Sequence, residues 1–186
     1  MKPEWGGKTV VCIASGPSLT PVDCARVKIM GYKTLVTNTT FRLCPWADIL
    51  VGHDARWWRQ YGAEVRVAFA GRKLAGQQAA KQYGPEIVNW ATVYQNSGAL
   101  AVSCAVAAGV SKVLLLGYDA SPDADGRKHW HEDHPLGLDN CKSIERWGYQ
   151  FGKLAAEAKA ANVEVINASR RTKLDCFPRA VLEDVL

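Results

Sequence analysis

Three of the four histidines in the chain, His129, His131 and His134, fall within one six-residue stretch, His129-Trp130-His131-Glu132-Asp133-His134. An imidazole exchanges its proton near neutral pH, so a loop histidine can serve as a general base. His134 is the first candidate, because it lies nearest the helix-like segment that follows and has Asp133 beside it. His131 is the second. The same run also offers nitrogen ligands to a divalent metal, although its spacing matches no recognised zinc motif. The plainer alternative is a solvated polar loop.

Two further stretches are suited to holding an anion. Ser15-Gly16-Pro17-Ser18-Leu19 directly follows the apolar run Thr9–Ala14. Gly16 permits a tight turn and close backbone approach, and Pro17-Ser18 can open a short helix whose N–H groups face a phosphate. The sequence is neither G-x-G-x-x-G nor a Walker A loop, which removes support for a dinucleotide oxidoreductase or a P-loop kinase. Asn96-Ser97-Gly98 opens a segment of small residues running to Gly109. Its N-terminus can present N–H groups to a phosphate or carboxylate, while helix capping alone accounts for the same residues.

Other candidates stand where strands should end. Asn38 closes the second strand run, His53 and Asp54 follow the third, and Tyr118 and Asp119 follow Leu114-Leu115-Leu116-Gly117. In a parallel sheet these ends share one edge and can line one cleft. Arg170 and Arg171, with Lys173, follow the last strand candidate and are placed to offset ligand charge or to form an ordinary basic surface. Trp46, Trp57 and Trp58 read as core.

The elements that must position these groups follow from apolar periodicity. Strand runs are expected at Thr9–Ala14, Thr34–Thr37, Asp48–Val51, Arg66–Ala70, Glu86–Val88, Lys112–Leu116 and Glu164–Ile166. Helices are expected at Pro21–Val27, Ala55–Val65, Ser97–Gly109 and Ser143–Ala161. The alternation predicts an α/β three-layer sandwich with a mainly parallel, Rossmann-like central sheet.

A chain of 186 residues suits a single domain spanning 1–186. Apolar residues make up 48% and charged residues 22%, the balance of a packed globular core. No apolar run is long enough to span a membrane, and Met1–Lys8 has no signal core, so the expected location is cytoplasmic. The six cysteines include no C-x-x-C pair, and Cys12 and Cys104 read as small buried hydrophobes. The net charge of +5 fits attraction to phosphate on a small molecule or on nucleic acid, and does not choose between them.

Taken together, Ile13–Leu19, Asn96-Ser97-Gly98, the Ala-rich helix, Lys112–Leu116 and Gly117-Tyr118-Asp119 resemble a known superfamily. It is the GPSL-motif group of small bacterial sialyltransferases, flagellar motility accessory factors and the archaeal 6-hydroxymethylpterin diphosphokinase. The whole chain also resembles short phage and prophage proteins that end in a stretch like Ser169–Pro178, which implies a host-cytoplasmic location. The resemblance implies that Ser15 and Gly16 contact nucleotide phosphate or ribose, with Ser15 replacing an asparagine common in the sialyltransferases. It implies that Asn38 contacts the nucleotide, that Ser97 and Gly98 hold it, and that His134 or His131 is the base. Tyr118 is a partial match to tyrosines that steady the departing phosphate.

The implied function is a nucleotide-sugar-dependent, glycosyltransferase-like transferase acting on a nucleotide-linked small molecule, with a divalent metal optional. Three alternatives stand beside it. One is a diphosphokinase-like phosphotransferase using a nucleoside triphosphate and Mg²⁺ held by Asp54 and Asp119. Another is a non-enzymatic phage nucleotide-binding protein. The last is a transferase acting on modified bases in DNA. Homo-oligomer formation is left open.

Overall fold

A computed structural model describes residues 1–135, 137–138 and 144–186. Its centre is a seven-stranded sheet in which every pairing is parallel. The strands are β1 (Thr9–Ile13), β2 (Lys33–Thr37), β3 (Ile49–Gly52), β4 (Arg72–Ala75), β5 (Glu86–Ile87), β6 (Lys112–Leu116) and β7 (Glu164–Asn167). The helices are α1 (Pro21–Met30), α2 (Ala55–Ala68), α3 (Gln77–Tyr83), α4 (Ser97–Ala107) and α5 (Trp147–Ala160).

The sheet order is β5-β4-β3-β2-β1-β6-β7. The chain moves outward from β1 to β5, then returns through α4 to lay β6 against the other side of β1. The order therefore reverses between β1 and β6. At such a point the connections after the two strands leave in opposite directions and open a crevice at their carboxyl ends.

Parallel strands covered on both faces should be apolar throughout, and these are. Val10 and Cys12 of β1 join Leu35, Val113 and Leu115 under α4 and α5. Val11 and Ile13 turn the other way and join Val36, Leu50, Leu114 and Leu116 under α1, α2 and α3. The central helix α4 is buried along most of its length, and its Ala, Gly and Ser residues permit that close approach. No helix among the described residues is long and apolar enough to cross a membrane.

The expected α/β architecture is the one observed, but several boundaries differ. Arg66–Ala70, expected as a strand, is mostly the end of α2, and the strand is Arg72–Ala75. The helical spacing of Trp57, Trp58, Tyr61 and Val65 carries the helix on past Val65, leaving Val67 91% exposed. Chain reversal follows at Gly71, where a Cβ would sit 2.5 Å from the Ala47 carbonyl oxygen.

Helix α3 was not anticipated; its only fully buried residue is Ala79, so it leaves little apolar period to read. Helix α1 runs to Met30, beyond Val27, and stops at Gly31 in the left-handed conformation. The start expected for the last helix, Ser143, lies outside the described residues, as does Cys141. A short 3₁₀ turn at Ile144–Arg146 leads into α5 at Trp147. Trp57 and Trp58 are core, whereas Trp46 is only half-buried against it.

Two glycine substitutions should move stability in opposite directions. Gly152 lies inside α5 with open space around it, so Gly152→Ala should stabilise by about 0.5–1 kcal/mol. Gly117 has φ +69°, and a Cβ there would lie 2.5 Å from the Ala14 carbonyl oxygen. Gly117→Ala should therefore cost about 2 kcal/mol or more. Urea unfolding of the two variants checks both signs.

Candidate functional site

The crevice between β1 and β6 holds a cavity of about 200 Å³. Its walls come from Ala14–Pro17 after β1, Thr37 and Asn38 after β2, Asp54 before α2, Gln95–Gly98 at the start of α4 and Gly117–Ser121 after β6. Lys128, His129 and His134 close it from the loop beyond β6. Trp147, Phe151 and Leu174 supply an apolar side.

The turn after β1 is held by the end of β6. The Gly16 N–H donates to the Gly117 carbonyl at 2.8 Å. Ser18 donates to both oxygens of Asp119, from its N–H at 2.9 Å and its hydroxyl at 2.8 Å. A Cβ on Gly16 would lie 2.2 Å from Asp119 Oδ1, so only glycine fits here. Burial raises the Asp119 pKa, and the Ser18 bonds and the nearby Arg171 charge oppose that rise.

This geometry corrects the expected role of Pro17-Ser18. They do not open an anion-binding helix. Helix α1 begins at Pro21, and its N-cap Thr20 forms a reciprocal capping box with Asp23. Asp119 already takes the Ser18 N–H, and Ser18 does not line the cavity. The Ser15 hydroxyl is paired with Thr40 Oγ1 at 2.9 Å.

The helix N-terminus that does face the cavity belongs to α4. The Asn96 side chain caps it by accepting the Ala99 N–H at 3.0 Å. The Ser97 hydroxyl oxygen accepts the His53 N–H at 2.9 Å, so its own proton remains to be donated elsewhere. His53 thus supports Ser97 from behind and does not line the cavity; burial lowers its pKa. Asp54 does line it, while one of its oxygens accepts the Arg56 N–H and caps α2. The buried Tyr118 hydroxyl donates to the Gly98 carbonyl at 3.1 Å, a tie between β6 and α4.

Asn38 stands out within the cavity wall. Its φ is +47°, a left-handed backbone that asparagine adopts more readily than other residues with a Cβ. Its side-chain Oδ1 is buried with no hydrogen-bond partner among the described residues. A buried acceptor left unpaired is costly, so its place beside the cavity fits a ligand-facing role.

The basic tail does not reach the cavity. Arg170 pairs with Asp23 at 2.7 Å and lines a separate cavity of about 260 Å³ with Ser18, Arg179 and Glu183. Arg171 is exposed and lines neither cavity, though its charge acts on Asp119. What the tail contributes is Leu174, a cavity wall, and Thr172, whose hydroxyl donates to the Tyr118 carbonyl at 2.7 Å. Among the described residues the cation in the wall is Lys128, which was not among the candidates read from the sequence.

The histidine loop folds over the site. The Trp130 N–H donates to the Ser15 carbonyl at 3.2 Å, which ties the loop to the first turn. The three imidazoles touch: His129 and His131 stack with centroids 4.9 Å apart, and His134 lies 5.2 Å and 5.0 Å from them. Burial lowers the pKa of both His129 and His134 to about 4, reinforced by repulsion between the rings. Both are therefore neutral at pH 7. His131, the second candidate base, does not line the cavity; its Nδ1 bonds the Glu132 carbonyl at 2.6 Å. His129 takes its place. Among the described residues no three His, Cys, Asp or Glu side chains are grouped to hold a metal ion.

No family model matches the chain, and no curated protein matches it. A mutant of a Serratia marcescens short-chain dehydrogenase/reductase is 12% identical over 89% of this chain and 74% of its own, with a TM-score of 0.29. The Bordetella bronchiseptica enzyme WbmG, solved in complex with NAD, is 12% identical over 90% of this chain, with a TM-score of 0.29. This chain spans 54% of that one. Likenesses this distant carry nothing about what the chain does.

The neutral histidines set a pH dependence. Their folded pKa values lie below the unfolded value of 6.5. As pH falls from about 6.5 to about 4, the unfolded chain gains protons that the folded chain refuses, and stability drops. Asp119, with its raised pKa, acts in the opposite sense. The difference between wild type and His129→Gln/His134→Gln isolates the histidines. The melting temperature of the double variant should fall less across this window.

Proposed function

We propose that the chain is a nucleotide-dependent transferase of the glycosyltransferase type, with its ligand phosphates at the start of α4 and a neutral loop histidine as general base. One observation carries the reading: two imidazoles held neutral line the same cavity as the N-terminus of an eleven-residue helix. A helix N-terminus attracts anions, and a neutral imidazole accepts protons. The resemblance of Ile13–Leu19 and Asn96–Asp119 to the GPSL-motif superfamily supports the same assignment.

In this reading the phosphates meet the α4 N–H groups, the Ser97 hydroxyl and the Lys128 ammonium. Asn38 offers its unpaired oxygen to a donor on the nucleoside or sugar. The apolar side formed by Trp147, Phe151 and Leu174 receives the flat or carbon-rich part of the ligand. The acceptor hydroxyl loses its proton to the histidine while its oxygen bonds the anomeric carbon. The bond from that carbon to the phosphate oxygen breaks, and its electron pair leaves on the phosphate. The α4 N-terminus and Lys128 stabilise that charge.

A thermal-shift panel of nucleotides, nucleotide sugars and Mg²⁺ tests this. A nucleotide sugar should raise the melting temperature more than the free nucleoside. Lys128→Ala should weaken that binding about fivefold to tenfold, with a smaller salt dependence than wild type. A triphosphate that needs Mg²⁺ would point instead to phosphoryl transfer, and silence across the panel would overturn nucleotide binding.

A further inference from the structure

The second cavity, of about 260 Å³, opens at the same sheet edge on the α1 side. Leu116 at the end of β6, Ala168 and Ser169 after β7 and Leu19 before α1 contribute to its walls, and residues 179–183 of the tail supply the rest. Gly117 lines both cavities. The backbone sets Arg179 in place. It forms a parallel bridge with Asn167 at the end of β7, and the Ala180 N–H donates to the Asn167 carbonyl at 3.3 Å.

Four charged side chains line this cavity, Asp23, Arg170, Arg179 and Glu183. Arg170 pairs with Asp23 at 2.7 Å, and Glu183 pairs with Arg26. Arg179 has no carboxylate partner among the described residues. It donates from Nη2 alone, to the Ser169 carbonyl at 3.5 Å and the Arg170 carbonyl at 3.2 Å, and its Nε and Nη1 make no hydrogen bond among the described residues. Ser169, whose carbonyl it touches, is 3% exposed. The Ser169 hydroxyl oxygen accepts the Tyr118 N–H at 2.8 Å, and its own proton has no acceptor among the described residues.

A buried donor left without an acceptor is costly, and a guanidinium bonds an anion more strongly than it bonds a neutral group. Two neighbouring donors in one cavity therefore call for an anionic acceptor. One surplus positive charge balances a monoanion, whereas a phosphate dianion would keep a negative charge uncompensated. Leu19, Leu116, Val181 and Leu182 make the remaining wall carbon-rich.

We propose that this cavity binds a small aliphatic carboxylate, its oxygens held by the Arg179 guanidinium and the Ser169 hydroxyl and its chain against Leu19, Leu116 and Leu182. The site is distinct from the nucleotide cavity and does not rest on the transferase reading. It gives a role to the tail stretch after β7, whose arginines stay out of the first cavity.

The test is a titration of the ¹⁵N-labelled full chain with sodium acetate, butyrate and hexanoate, and with inorganic phosphate, at constant ionic strength, followed by backbone amide shifts. The carboxylates should give saturable shifts at Ser169, Arg170 and residues 180–182, while Asn96, Ser97 and Gly98 stay in place. Affinity should rise about twofold to fourfold per added methylene as the chain is buried. Arg179→Gln should weaken hexanoate binding about tenfold or more. Arg171→Gln, which removes an equal charge outside both cavities, should leave it unchanged.

No saturable shift with any carboxylate, or shifts centred on Asn96–Gly98, overturns the site. Phosphate bound as tightly as hexanoate overturns the carboxylate assignment. Equal losses in the two arginine variants reduce the effect to net charge and overturn the role of Arg179. The wild-type titration decides even if Arg179→Gln does not fold.

Discussion

Asp119 accepts two hydrogen bonds from Ser18, and this carboxylate sets the shape of everything around it. It pulls the turn after β1 against the end of β6, the two strands between which the sheet order reverses. The Gly16 N–H reaches the Gly117 carbonyl in the same approach, and neither glycine has room for a side chain. The cost is a carboxylate out of water, visible as its raised pKa. The gain is a rigid floor, since every later element of the site leans on it. The histidine loop is tied to the Ser15 carbonyl, and the tail is tied to the Tyr118 carbonyl.

That floor also explains how charge is distributed. Asp119 is spent on structure, and Asp54 caps α2 while lining the wall. Arg170, one of the tail arginines expected to offset ligand charge, is committed to Asp23. Among the described residues the cavity wall then has one lysine, Lys128, itself 3.6 Å from Asp133, with a helix N-terminus and neutral imidazoles. Such a wall presents oriented N–H groups more than net charge.

The histidines gain their character from crowding. Three rings within about 5 Å of one another cannot share positive charge, and Arg42 adds a further cation next to His131 and His134. Desolvation acts in the same direction. A lone loop histidine would titrate near its ordinary value and be partly protonated in use. The cluster removes that ambiguity, and the aromatic packing of Trp130 and Tyr61 keeps it from opening to water.

The amino-acid sequence by itself determined the α/β class, the parallel sheet and the stations of most strands, because fully buried strands need unbroken apolar runs and those can be read residue by residue. It also marked Ser15, Gly16, Pro17, Asn38, Asp54, Asn96, Ser97, Gly98, Tyr118, Asp119 and His134 as residues near one edge, and the structure brings all of them to one cavity. It misplaced β4 and passed over α3, whose amphipathic patterns are too short to stand out.

Tertiary structure alone decided which partner each polar group took. Ser18 went to Asp119, Arg170 to Asp23 and His134 to Tyr61, pairs separated by 101, 147 and 73 positions in the chain. No local spacing encodes such pairs. It also decided that Lys128 and His129, rather than Arg171 and His131, meet the cavity. In a loop without a repeating backbone, neighbouring side chains have no fixed period, so which ones turn inward is set by the surfaces that the loop packs against.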